Sequence, residues 1–285
     1  MIFSFLGLSK PVSKVNDALV KAIKDYRTIN MGATSPINPG GVYVPNLEVC
    51  TTFASSRKMA AYMNMNDLIR KSDIIFAFVS DSSFKNLHKV LRRHDIKDKI
   101  FCHFYPEHDA EILDFGPDNT YVSIIVPAVR KKGAFDLSHG LIVQGYGPRY
   151  DEFTNAMERI GIKVKSLNSD EKSLYQSAVN IIKYVPSLAV ESSRRLAKSV
   201  LGTDCDILEL FDGINISAEY TLSSAAPEDT GDVDYIETQA KLMKKMSLED
   251  SEIFYAALLL TKTFREDLLS SQTIKDIAKS IIRRL

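Results

Sequence analysis

Asp73-Ile74-Ile75-Phe76-Ala77-Phe78-Val79-Ser80 holds an unbroken apolar run between two polar ends. A strand with one wet face alternates apolar and polar residues. A run without alternation marks a strand covered on both faces, as in a parallel sheet. The sequence around it supports that reading. Upstream, residues 2–6 form a second short apolar run ending at Gly7, and residues 12–23 repeat apolar positions at helical spacing. Ser9 and Pro11 suit the start of that helix. Downstream, residues 81–91 predict a capped helix. Strands are predicted at 99–105, 121–126, 141–146 and 163–167, with a helix over 148–160 between the last two. Alternation of strand and helix predicts an α/β domain with a mostly parallel sheet.

Between these parts, residues 28–46 carry Gly32, Pro36, Pro39, Gly40, Gly41 and Pro45. They predict a long loop with at most a short strand at 42–44. The β-branched content of residues 47–54 predicts the second strand of the sheet. Short helical stretches follow at 58–63 and 67–71. From Ser169 onward the periodicity is helical. Residues 171–201 predict one long helix with a kink at Pro186, and further helices are expected at 206–211, 234–246, 248–269 and 273–284. The predicted domains are therefore 1–168, α/β, and 169–285, all-α.

The 285 residues carry 36 Lys and Arg against 36 Asp and Glu, a formal net charge of zero. That balance lacks the general attraction to phosphate that a basic nucleic-acid binder uses, so no nucleic-acid partner is expected. No apolar run reaches the ~18–20 residues of a membrane-spanning helix. Residues 1–8 are too short for a signal peptide, so neither membrane nor export is expected. Cys50, Cys102 and Cys205 are odd in number and widely spaced, which suits a reducing, cytoplasmic setting. The five histidines show no metal-ligand spacing, and no metal is expected. No nucleophile elbow and no Walker loop occur. Cys102, inside a predicted strand, reads as an inert thiol.

A strand that ends at glycine and feeds a helix is the phosphate-binding corner of the Rossmann fold. At GxGxxG spacing this chain has Gly7, Ser9 and Val12, so one glycine of three remains. Gly7, Leu8, Ser9 and Lys10 are the candidate phosphate loop. The same pattern also suits a plain strand–helix connection. At the end of the predicted second strand, Ser55, Ser56 and Arg57 stand where a carboxylate would select NAD. Arg57 suits a 2′-phosphate, which makes NADP the expected cofactor. Val79, Ser80 and Asp81 close the candidate cofactor site at the end of the central strand.

The order of these parts resembles a known superfamily. SDIIFAFVSDSSF at 72–84 is similar to the "aDlvflaVpD" strand and turn of the pyrroline-5-carboxylate reductase and 6-phosphogluconate dehydrogenase superfamily. KIFCHFYP at 99–106 resembles its next strand, and residues 140–193 resemble its close of the sheet and entry into a long helix. Within it the chain most resembles the DUF2520 group of Rossmann-like proteins with a C-terminal helical domain. His103 stands at the histidine of that group's "HcSG", and Pro127 at the proline of its "HP". Leu174 to Ala178 resembles "alYhaAA", with Gln176 for histidine. Gln176 and Asn180 take the spacing of the Lys and Asn that related hydroxyacid dehydrogenases place beside substrate. The resemblance implies an NAD(P)-dependent oxidoreductase that holds a small substrate in an interdomain cleft and forms a homodimer through its C-terminal helices. His103, Gln176 and Asn180 are then the catalytic candidates, and Tyr105 and Pro127 the substrate-binding ones. Glutamine has no titratable proton near neutral pH, so Gln176 orients rather than donates. Two other readings stay open: a non-catalytic binding module or dimeric scaffold, and a Rossmann-like methyltransferase. The helical second half argues against the last.

Overall fold

The computed structural model describes residues 1–8, 10–79, 81–92, 96–105, 108–126, 137 and 140–179, with backbone alone at 10, 11 and 81–85. The chain divides into two compact units, Met1–Ser169 and Asp170–Leu285. Of the second unit, residues 170–179 are described and are helical. The helices expected beyond them lie outside the described residues.

The first unit runs β1 (Ile2–Leu6), α1 (Lys10–Ile29), β2 (Asn38–Tyr43), α2 (Leu47–Arg57), β3 (Ala60–Ala61), α3 (Met65–Lys71), β4 (Ile74–Ala77), α4 (Asp81–Leu91), β5 (Ile100–His103), a 3-10 turn (Ala110–Leu113), β6 (Thr120–Ile125), β7 (Leu141–Tyr146), α5 (Tyr150–Arg159) and β8 (Val164–Ser166). The eight strands form one sheet in the order β3-β2-β1-β4-β5-β6-β7-β8. Every pairing is parallel except β6 with β7. The strand order reverses between β1 and β4, the switch point outside whose carboxyl ends open α/β sheets bind ligands.

Both faces of the sheet are packed. Phe3 and Phe5 of β1 and Phe76 and Phe78 at β4 meet Val12, Val15, Leu19 and Ile23 of α1 and Phe153 of α5. Phe5 stacks on Phe76 with ring centroids 5.7 Å apart, and Phe78 on Phe104 at 5.0 Å. Leu6, Ile75, Phe101 and Tyr121 face the other side, against Leu68 of α3 and Leu87 and Leu91 of α4. The continuous apolar run of β4 thus serves two cores, as its pattern predicts.

Three elements differ from the sequence reading. Residues 58–63, expected to be a short helix, instead carry strand β3, because Lys58 ends α2 and Ala60 and Ala61 pair with Gly41 and Val42 of β2. Residues 38–43, expected to be mostly loop, are strand β2. Its glycines serve close approach: a Cβ on Gly41 would meet the Ala60 carbonyl oxygen at 2.4 Å, and one on Gly40 the Ser4 hydroxyl at 2.7 Å. Pro39 falls where β3, which pairs only with Gly41 and Val42, does not extend. Residues 47–54, expected to be the second strand, are helix α2. Asn46 caps it, its side chain accepting the Val49 N–H at 3.1 Å. Lys58 ends it in the left-handed conformation, φ 55°, and the Met59 N–H returns to the Ala54 carbonyl at 2.9 Å. A good cap and buried Cys50 and Ala54 outweigh the strand preference of Val49, Thr51 and Thr52.

Candidate functional site

Gly7 stands at this switch point. Its φ is +88°, and a Cβ there would lie 2.2 Å from the Phe78 carbonyl oxygen and 3.4 Å from Val79 Cγ1. Glycine is therefore required both by the turn and by the closeness of β4. The Gly7 N–H donates to the Tyr43 carbonyl at 2.9 Å, and the Phe78 N–H to the Leu6 carbonyl at 2.7 Å. The ends of β2, β1 and β4 are thus stitched together, and the chain turns from Gly7 and Leu8 into α1. The first turn of a helix leaves backbone N–H groups without partners in the helix. Val12, at the third glycine position, is fully buried in the core, so here α1 packs on the sheet through a side chain.

The structure brings Gly7, Leu8 and Val79 together. It does not bring Ser55, Ser56 and Arg57 to them. These three occupy the last turn of α2, which starts at the carboxyl edge and runs back from it. Arg57 is ten residues into α2, about 15 Å along its axis at 1.5 Å per residue. Its guanidinium pairs with Asp17 of α1 at 3.4 Å. The sequence reading set Arg57 at the end of a strand; the structure sets it at the end of a helix, paired with Asp17. The true end of β2 presents Tyr43, Val44, Pro45 and Asn46, with neither a carboxylate nor a guanidinium among them. The sequence reading missed these residues because it placed the strand elsewhere. The signal was present in Asn46-Leu47-Glu48, a cap followed by an acidic first turn.

His103 ends β5 with its ring fully buried. The Tyr105 N–H donates to Nδ1 at 3.3 Å, so Nδ1 is unprotonated and Nε2 carries the hydrogen. Nε2 lies 3.2 Å from the Asp109 carbonyl and donates to it. His103, Ser123 and Gln144 are register partners across β5, β6 and β7. Together they grip three successive backbone positions. His103 holds the Asp109 carbonyl, Ser123 Oγ donates to the His108 carbonyl at 2.9 Å, and Gln144 Oε1 accepts the Ala110 N–H at 2.7 Å. This polar row anchors the segment that follows β5. The sequence reading found the histidine but not its two partners, each a lone polar residue within an apolar run.

Beyond this row, Tyr146 donates to Asp114 at 2.7 Å, and Tyr121 donates to the Gly116 carbonyl at 2.8 Å. Burial first, then the bond to the Asp114 carboxylate, hold the Tyr146 phenol above the usual tyrosine range. Burial likewise pushes the Cys102 thiol well up, which leaves it unreactive. Tyr105 reaches over the end of β4, its hydroxyl donating to the Val79 carbonyl. Gln176 is half-buried on the helix that follows β8. Ser9, Ser80, Pro127 and Asn180 lie outside the described residues, as do the side chains of Lys10 and Asp81. Among the described residues no three His, Cys, Asp or Glu side chains gather as a metal site, and no helix is long and apolar enough to cross a membrane.

No family model matches the chain, and no curated protein matches its sequence. Solved structures do match its fold. A Bacteroides fragilis protein described as a candidate NADP oxidoreductase superposes with a TM-score of 0.55 at 13% identity, over 93% of this chain and 97% of that one. A conserved hypothetical protein from Sinorhizobium meliloti gives 0.53 at 12% identity, over 98% and 96%. A Thermotoga maritima protein gives 0.51 at 16% identity, over 92% and 99%. Strand order, the glycine corner at the switch point and these likenesses agree: the chain has a Rossmann-like fold.

Proposed function

We propose that the chain binds a nicotinamide dinucleotide across the carboxyl ends of β1, β2 and β4, and that it acts as an NAD(P)-dependent oxidoreductase. One observation carries this reading. The sheet reverses its order where β1 turns at Gly7 into a 20-residue helix, the place where open α/β sheets hold nucleotides. The N–H groups of Leu8 and the first turn of α1 would face the pyrophosphate. Residues 43–46 would meet the adenosine ribose, and Val79 the second sugar. When bound, such a cofactor supplies hydride transfer, while the protein orients it. With no charged selector at the end of β2, the proposal covers NAD and NADP equally. Within it, His103 is a positioning residue, fixed as the neutral Nε2–H form by two backbone groups. Gln176 remains the proposed substrate-orienting side chain, and a homodimer through the C-terminal helices remains the proposed assembly.

A second reading, a nucleotide-binding module without hydride chemistry, is favoured by His103 itself. Both its ring nitrogens are committed to backbone, and Gln176 has no acidic proton. Thermal unfolding with and without NADPH, NADH and S-adenosylmethionine tests the proposal. A ligand at about 100 times its Kd adds about 2.7 kcal/mol of stability. A shift with either nicotinamide dinucleotide supports the site, and turnover of the bound cofactor then separates the two readings. A shift with S-adenosylmethionine alone, or no shift at millimolar concentration, overturns the proposal.

A further inference from the structure

The carbonyl of Val79 is the acceptor presented where the chain leaves β4, beside the Gly7 corner. One of its two lone pairs already accepts from the phenol of Tyr105. Tyr105 and Val79 are both half-buried, so each keeps some exposed surface. The backbone carrying Tyr105 is held at its root by the His103 Nδ1 bond, and the His103–Ser123–Gln144 row anchors residues 108–110 just beyond. The phenol is therefore carried over the end of β4 by an anchored backbone. A dinucleotide laid across the switch point places one half over β1 and β2 and the other over β4 and β5. A sugar hydroxyl over β4 seeks the same carbonyl that Tyr105 occupies.

We propose that Tyr105 is a specificity-determining residue whose hydroxyl stands in for a ligand sugar hydroxyl at Val79, so that the site grips the adenosine-diphosphate half of a nucleotide and gains little from the half beyond it. This rests on the nucleotide-site reading above. The phenol competes with the second ribose and leaves the first untouched. ADP and NADH therefore bind the full chain with similar affinity. Tyr105→Phe keeps the ring, frees the carbonyl and tightens NADH about fivefold, within the range of one net hydrogen bond, while ADP is unchanged.

Isothermal titration of ADP and NADH against the full chain and Tyr105→Phe tests this, with unliganded melting of both proteins as the folding control. Tyr105→Leu replaces the phenylalanine variant should that one not fold. Selective tightening of NADH supports the inference. NADH more than tenfold tighter than ADP in the unaltered chain overturns it and leaves the nucleotide site standing. So does a change that moves both ligands equally, or no change in either. Absence of binding by both ligands to both proteins overturns the site reading as well.

Discussion

Gly7→Ala is expected to destabilise the α/β unit by about 2–4 kcal/mol. Three contributions set that figure. An L side chain at φ +88° costs roughly 1–2 kcal/mol in the left-handed region. The new Cβ would sit 2.2 Å from the Phe78 carbonyl oxygen and 2.9 Å from its carbon. Both are backbone atoms, so β1 and β4 must separate, at a cost of about 1–3 kcal/mol for overpacking. Against these, alanine restricts the unfolded chain and returns about 0.4–1 kcal/mol. Gly32→Ala is the control. Its φ is +83°, and nothing lies within 4 Å of a Cβ built there. It carries the conformational terms without the clash and should cost about 1 kcal/mol or less. Urea unfolding followed by far-UV circular dichroism measures both. Equal losses in the two variants, within about 0.5 kcal/mol, would refute the argument that β4 demands this glycine.

Arg57→Ala should weaken NADPH and NADH equally or not at all, because Arg57 lies back along α2 and pairs with Asp17. A loss confined to NADPH would restore the 2′-phosphate role. The Arg149 guanidinium makes two bonds to Glu152, at 2.6 and 3.0 Å, and holds its carboxyl below the usual glutamate range. A depressed carboxylate contributes stability above its unfolded pKa, about 4.3, and loses it as pH falls through the folded value. The urea midpoint gap between the unaltered chain and Glu152→Gln should therefore narrow from pH 6 to pH 3.5, and a constant gap contradicts the pairing. Asn46→Ala removes the cap of α2 and should cost about 1 kcal/mol by urea unfolding, with Asn46→Asp nearly neutral. Equal losses in these two variants would show that the side-chain oxygen is not what matters.

Much of the framework was legible in the chain. The runs at 2–6, 73–79, 99–105, 121–126 and 141–146 announced five strands, which the structure sets at 2–6, 74–77, 100–103, 120–125 and 141–146, because a largely buried strand leaves little room for polar alternation. The candidate site was legible only where a local rule governs it. Gly7 at a strand end and Val79 after the central run were found by pattern and do meet in space. The second strand and its helix were exchanged, because Gly40, Gly41 and Pro39 look like loop, and Val49, Thr51 and Thr52 look like strand. Arg57 was displaced from the site by that exchange.

Sequence by itself determined the α/β alternation, the buried central strand and the turn at Gly7. Each follows from local chemistry: side-chain period, apolar continuity and the freedom of a residue without Cβ. Tertiary structure alone decided what depends on neighbours distant in the chain. Residues 38–43 become a strand because Ile2, Ser4 and Ala60 approach too closely for any side chain at Gly40 or Gly41. His103 becomes an anchor because its register partners Ser123 and Gln144 hold the same loop, and its buried ring meets the Asp109 carbonyl and the Tyr105 N–H. A hydrogen bond or a close contact across 20 or more residues has no periodicity to read. It exists only once the strands have found their order.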